Sequence, residues 1–322
     1  MMISFIRHFW RGSAVAATVA LLAGCGAAVP LAQAPAGQAV SNGLGSWRAA
    51  GLEHTDLLYV DDSGDDRITI FTFPQGKAVG EIDGAPRSDG LCSDKHGHVF
   101  VPGYDQTEIF EFAHGKTQPI AMLKLMNYVY PGSCAVDPLT GNLAVTTDTG
   151  RVAIFPDAKN PPQYYDPGGA YNVWHCTYDD SGNLFAGGDE ADGEFVLSEL
   201  PRGSYTMNAI DVPAEISPEL PLLWDGKHLA IEAEQDFHAT ILLRVSVSGS
   251  RATVVGKTKL AGSPNGIGTE FWFAGGYAVQ PENGNTGVGF WKYPAGGKAV
   301  TNLQNLGTNV FGVTVSYGRK KQ

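Results

Sequence analysis

Charge is scarce in this chain, and what there is leans one way. Only 17% of residues are charged, and 22 Lys and Arg stand against 33 Asp and Glu, a formal net charge of −11. Binding to nucleic-acid phosphates needs a basic face, so this balance argues against nucleic acid as a partner. The basic end Arg319-Lys320-Lys321 is too short to reverse it. Cysteine is also scarce, with four copies and no C-x-x-C pair. Without that pair, or an H-E-x-x-H, zinc has no recognisable ligand set, and without C-x-x-C-H there is no haem attachment. A G-x-S-x-G nucleophile elbow, a P-loop and a strand–G-x-G-x-x-G–helix unit are all missing. No convincing amphipathic helix appears, and no segment past the first 25 residues reaches the ~18 apolar residues of a membrane span. Glycine is plentiful, with 41 copies scattered among 19 prolines. Scattered Gly and Pro between short apolar runs mean many turns between many short strands.

The first residues set the compartment. Arg7 and Arg11 precede an apolar run, Ser13 to Ala23, that is too short to span a bilayer and has the length of a signal-peptide core. It ends in Leu22-Ala23-Gly24-Cys25, which resembles a bacterial lipobox. The resemblance implies cleavage before Cys25 and lipidation of that cysteine, so residues 1–24 are a lipoprotein signal peptide. An ordinary secretory signal with an incidental cysteine is the alternative. Stable anchoring takes two acyl chains, which the bacterial modification supplies. Residues 25–50 are rich in Ala, Gly, Pro and Gln, a composition that buries no core and reads as a flexible tether. A single domain is predicted over 51–318, followed by a basic tail, 319–322.

Within that domain a unit recurs every 40 to 45 residues or so, the period of a propeller blade. GLCSDKHGHVFV from Gly90, GSCAVDPLTGNLAV from Gly132 and HCTYDDSGNLFAGG from His175 each read as strand, Asp-containing turn, strand. Weaker copies start at Leu220 and Thr269. A third strand follows each of these five copies, TEIFEFAHGK, RVAIFPDAKN, FVLSELPRGS, ILLRVSVSGS and VGFWKYPAGGK, and a sixth, ITIFTFPQGK, precedes the first of them. A less regular fourth strand comes next. Four strands per unit make a propeller blade, and six third strands make six blades. The chain enters at DLLYVDD, a second strand, so the first blade lacks its innermost strand. FGVTVS, Phe311 to Ser316, matches an innermost strand and has no continuation. The prediction is an all-β, six-bladed β-propeller whose ring is closed by the C-terminal strand joining the first blade.

The Cys-x-x-Asp-x-x-Gly-Asn-Leu pattern and the (Phe/Tyr)-Pro-x-Gly turns resemble NHL-type propeller repeats. The chain as a whole resembles the exported six-bladed propeller lipoproteins of bacteria, which places it in the cell envelope, facing outside the cytoplasm. Fold does not settle function here, because propellers host binding, scaffolding and several chemistries.

Cys92, Cys134 and Cys176 fall on predicted innermost strands of consecutive blades. Side chains alternate between strand faces. Cys92 lies two residues before its turn aspartate, Asp94, while Cys134 and Cys176 lie three before Asp137 and Asp179. Cys92 and Cys134 therefore differ in parity and are predicted to bridge, leaving Cys176 free. The alternative is three buried free thiols, and a β-bulge in either strand reverses the parity.

Ligands of propellers bind at the channel mouth, where loops leading into the innermost strands meet those joining second to third strands. The second group supplies Asp105, Asp148, Asp189, Glu234, Glu282 and Asn283. The first supplies Asp89, Tyr130, Trp174 and His175. That face is predicted to be acidic with an aromatic rim, fit for a polar small molecule or a cation. Carboxylates with Asn oxygens suit a hard cation such as Ca²⁺. For any one of these acids the alternative is a solvated turn, where Asp and Asn are favoured for backbone reasons. His175 and Cys176 are adjacent on a strand, point to opposite faces, and so form no dyad. Two readings of function follow. In the first, a lipid-anchored propeller binds a ligand or a partner protein, with no catalysis assigned. In the second, a metal-dependent hydrolase or lactonase acts on the same fold, as in the related gluconolactonase-type propellers, although their metal motif has no residue-by-residue match here.

Overall fold

The repeat is built around its turn. In the computed structural model, which describes residues 45–127, 129–213, 216, 221–236, 239–262, 270–282 and 286–320, the aspartate of the first four copies folds the turn that follows it. Asp94 Oδ1 accepts the backbone N–H groups of His96 and His98, and Asp179 Oδ1 those of Ser181 and Asn183. Asp137 takes the N–H of Leu139, and Asp225 those of Lys227 and His228. The glycines that close these turns, Gly97, Gly141 and Gly182, have φ of 86°, 77° and 82°, a region open to glycine without steric cost. The Asp-to-Gly spacing thus specifies a tight reversal between two strands.

Six antiparallel sheets result. Blade 1 holds β1 (Trp47–Arg48), β2 (Leu57–Asp62), β3 (Arg67–Thr72) and β4 (Ala78–Asp83). Blade 2 is β5 (Cys92–Ser93), β6 (Val99–Pro102), β7 (Glu108–Phe112) and β8 (Pro119–Lys124). Blade 3 is β9 (Pro131–Val136), β10 (Leu143–Thr147), β11 (Val152–Phe155) and β12 (Gln163–Tyr165). Blade 4 is β13 (Asn172–Tyr178), β14 (Leu184–Asp189), β15 (Phe195–Leu200) and β16 (Asn208–Ile210). Blade 5 is β17 (Leu222–Trp224), β18 (Leu229–Asp236), β19 (Ala239–Ser248) and β20 (Arg251–Ala261). Blade 6 is β21 (Trp272–Ala274), β22 (Tyr277–Pro281), β23 (Val288–Lys292) and β25 (Thr301–Leu303); β24 (Gly297–Lys298) leaves it to pair with β20. All six third strands read from the sequence are third strands here.

The last strand, β26 (Val310–Ser316), lies antiparallel to β2, with Leu57 opposite Ser316 and Val60 opposite Val313. Blade 1 is thereby completed from both ends of the domain. The ring closes as a six-bladed β-propeller with the closing strand innermost. Trp47 and Arg48 fall in the stretch the sequence assigns to the tether. They pair instead with the outer strand, Trp47 opposite Glu81. Two residues carry no strand pattern of their own, so this cover for an open sheet edge left no trace in the sequence.

Strand alternation decides the packing. Leu57 and Tyr59 of β2 face blade 2, whereas Leu58 and Val60 face blade 6. Repeated round the ring, this gives six apolar clusters, one per pair of neighbouring blades. Trp291 is fully buried between blades 5 and 6. Cys92 and Cys134 lie in the cluster shared by blades 2 and 3 and form a disulfide, with Cα atoms 5.7 Å apart. Cys176 is buried and free, in the next cluster round.

Candidate functional site

The channel mouth is shaped by irregular inner strands. Where β26 meets β2, the register shifts so that three steps from Val310 to Val313 oppose two from Asp62 to Val60. The same happens on β9, between Pro131 and Cys134. On β13 a single residue, Trp174, is inserted between Val173 and His175. These are β-bulges, which bend a strand and re-aim its side chains. All three fall at the mouth end, and each contributes to one cavity of about 350 Å³ through Phe311, Gly132 and Trp174. On blade 2 the innermost strand is only two residues long, so Asp89 reaches the same cavity from a loop.

The structure brings together Asp89, Tyr130, Asp148, Trp174 and His175 in the lining of this cavity, with Tyr104 beside them. Trp174 is held from behind. Its Nε1–H donates to Asp189 Oδ1 at 2.6 Å, and Asn172 Nδ2 donates to the other oxygen at 3.2 Å. Asp189 is therefore a buried support and not a lining group. Asp148 Oδ1 accepts the Tyr130 N–H at 3.0 Å, while the Asp148 N–H returns a bond to the Tyr130 carbonyl. His175 is buried, and burial pushes its imidazole down to about 4, so it is neutral at physiological pH. Burial of Asp89 lifts its carboxyl to about 6.

Two more acids stand close to Asp89, and sequence reasoning missed the second of them, Glu270. Asp61 is fully buried, and burial raises its carboxyl well above the ordinary range. One oxygen accepts the Ser63 hydroxyl at 2.6 Å, and Oδ1 has no partner among the described residues. Glu270, also buried and raised by burial, reaches from blade 6 to accept the Leu91 N–H at 2.7 Å. The Ser133 hydroxyl works against that shift, favouring the charged form. Position 90 is glycine because a Cβ there would stand 2.3 Å from Glu270 Oε1.

The other candidates lie elsewhere. Asp105 is exposed outside the cavity lining. Glu282 is buried apart from it, with one oxygen on the Gln304 amide and Oε1 without a partner among the described residues. Burial raises its carboxyl too. The Glu234 side chain, Asn283 and Cys25 lie outside the described residues. Among the described residues no three His, Cys, Asp or Glu side chains come together to hold a metal ion.

Six closed blades with a cavity at the mouth of the ring define the class, a β-propeller. Solved structures agree with it. A chain of a nidogen/laminin complex superposes with a TM-score of 0.65 at 12% identity, covering 82% of this chain and 100% of that one. A protein of unknown function from Bacteroides caccae gives 0.58 at 11% identity, covering 81% and 99%. Similarity at this level establishes the fold alone. No protein-family model and no curated protein matches the chain.

Proposed function

We propose that this chain is an exported, lipid-anchored propeller of the NHL-repeat kind that binds a small polar ligand at its channel mouth and catalyses no reaction. The observation that carries the reading is the cavity itself. It has the size of a small-molecule site, is concave, and combines aromatic rings with a few polar groups. Export is supported by the charged, short-cored leader ending in Leu-Ala-Gly-Cys. The Cys92–Cys134 disulfide supports it as well, since such bonds persist outside the reducing cytoplasm. Its partners are thus the membrane, through lipid on Cys25, and a soluble ligand; the net charge of −11 argues against nucleic acid.

The test is a thermal-shift and saturation-transfer screen of the full chain against amines, sugars and carboxylic acids, repeated on Trp174→Ala. At least one compound is expected to bind the native chain and lose affinity in the variant. If no compound depends on Trp174, the cavity is not the site. Labelling with a radioactive fatty acid in a bacterial host is expected to mark the native chain and not Cys25→Ser; equal labelling of both overturns the anchor.

A further inference from the structure

We propose that the ligand of the channel-mouth cavity is a small organic ammonium ion, an alkylated amine of choline-like size; this rests on the binding function proposed above. Three features of the lining lead there.

Among the described residues the cavity has negative charge and no positive charge. Asp89 and Asp148 line it, no Lys or Arg does among the described residues, and His175 is neutral. Arg87 points elsewhere, with its Nε on the Ser63 carbonyl at 3.1 Å and 4.0 Å from Asp66. Asp89 makes no hydrogen bond or ion pair among the described residues, and the buried Asp61 and Glu270 stand behind it. An anionic ligand is excluded, and a cation gains from every one of these groups that is ionised.

Several side-chain donors of the lining are already committed. Asn172 and Trp174 donate to Asp189. The Thr147 hydroxyl is occupied by the Arg151 carbonyl and Thr149. One Asn172 N–H, the neutral His175 ring, which both donates and accepts, and the tyrosine hydroxyls remain. A sugar needs donors and acceptors in similar number, whereas in this lining the carboxylate, amide and hydroxyl oxygens outnumber the donors left.

Finally, the carboxylates do not converge as metal ligands do among the described residues, and between them stand exposed rings. Tyr104, Tyr130 and Trp174 are 54%, 37% and 37% exposed, and all three border the one cavity. Aromatic faces attract a cation whose charge is spread over alkyl groups, which a compact hydrated metal ion is not. Trp174, pinned by Asp189, is the ring whose position the fold fixes most firmly.

The experiment is a calorimetric titration of the full chain with choline, with its neutral carbon isostere 3,3-dimethyl-1-butanol, with glycerophosphocholine and with CaCl₂. Choline is expected to bind at least about tenfold more tightly than the isostere, and Trp174→Ala and Asp89→Asn each to weaken it by about tenfold. Binding of glycerophosphocholine as well would assign the ion to a phosphodiester source, and its absence to a free one; either meets the proposal. Equal binding of choline and isostere, both lost in Trp174→Ala, overturns the ammonium assignment and leaves the cavity as the binding site. Choline binding that ignores Trp174→Ala, Ca²⁺ binding that displaces choline, or no choline binding at all also overturns it. Melting curves of both variants separate lost affinity from lost fold.

Discussion

Asp89 and His175 border the same cavity and respond to acid in opposite senses. Asp89 titrates near 3.8 in the unfolded chain and about 6 in the folded one, because burial disfavours its charge. The folded state therefore binds the proton first as pH falls, and stability withheld at neutral pH returns between about 6 and 3.8. His175 is depressed from 6.5 to about 4, so the unfolded chain takes that proton first. Its contribution is present above 6.5 and lost as pH falls to about 4. Asp89→Asn isolates the first effect. The variant is expected to melt above the native protein at pH 7.5, with the gap closing as pH approaches 4. A gap that is constant with pH would show that Asp89 is not desolvated. Asp89, Tyr130, Asp148, Trp174 and His175 were legible as candidates because they flank recognisable strands. Glu270 was not, because nothing in Glu270-Phe271-Trp272 reveals that its carboxylate crosses to Leu91 on another blade.

At the scale of the strand, the turn chemistry of Asp94, Asp137 and Asp179 was written plainly in the sequence, since an Asp three or four residues before a Gly has few other uses. The bulges at Phe311–Gly312, Gly132–Ser133 and Trp174 were not. A bulge is a property of two strands in register, and neither strand alone announces it. The cavity was therefore foreseen as a face and not as a shape. Strand parity selected Cys92 and Cys134 as the bridged pair because both lie below the irregular ends, where alternation holds. That bridge spans 42 residues of sequence and joins two blades. Constraint of the unfolded chain by a loop of this length is worth about 4 kcal/mol in the loop-entropy treatment. A reductant is accordingly expected to lower Tm by roughly 10 °C. Thermal unfolding with and without reductant, and of the Cys92→Ser, Cys134→Ser double variant, checks this; an unchanged Tm would count against the bridge.

For the molecule as a whole, closure rests on β26. Val310, Val313 and Val315 are fully buried against blades 1 and 6. At about 1.5–3 kcal/mol each, their loss removes roughly 5–9 kcal/mol, most of the ~5–15 kcal/mol by which a protein of this kind is stable. Side chains add to the seam. Asp62 accepts the N–H of Asn309 at 2.8 Å, and the Ser316 hydroxyl donates to the Gly97 carbonyl of blade 2 at 2.6 Å. A chain ending at residue 309 is expected to lose its cooperative melting transition and to be cleaved rapidly by protease, whereas one ending at residue 318 should keep both properties. Blade count and closure were readable from the sequence because an orphan second strand at the start and an orphan first strand at the end complete each other. The same arrangement bears on biosynthesis. The strand that completes blade 1 leaves the ribosome after the other described strands, so a chain stopped before Val310 carries blade 1 with the β2 edge bare, a template for pairing with other chains. A premature stop near the C-terminus therefore produces an aggregation-prone species in place of a slightly shorter working protein.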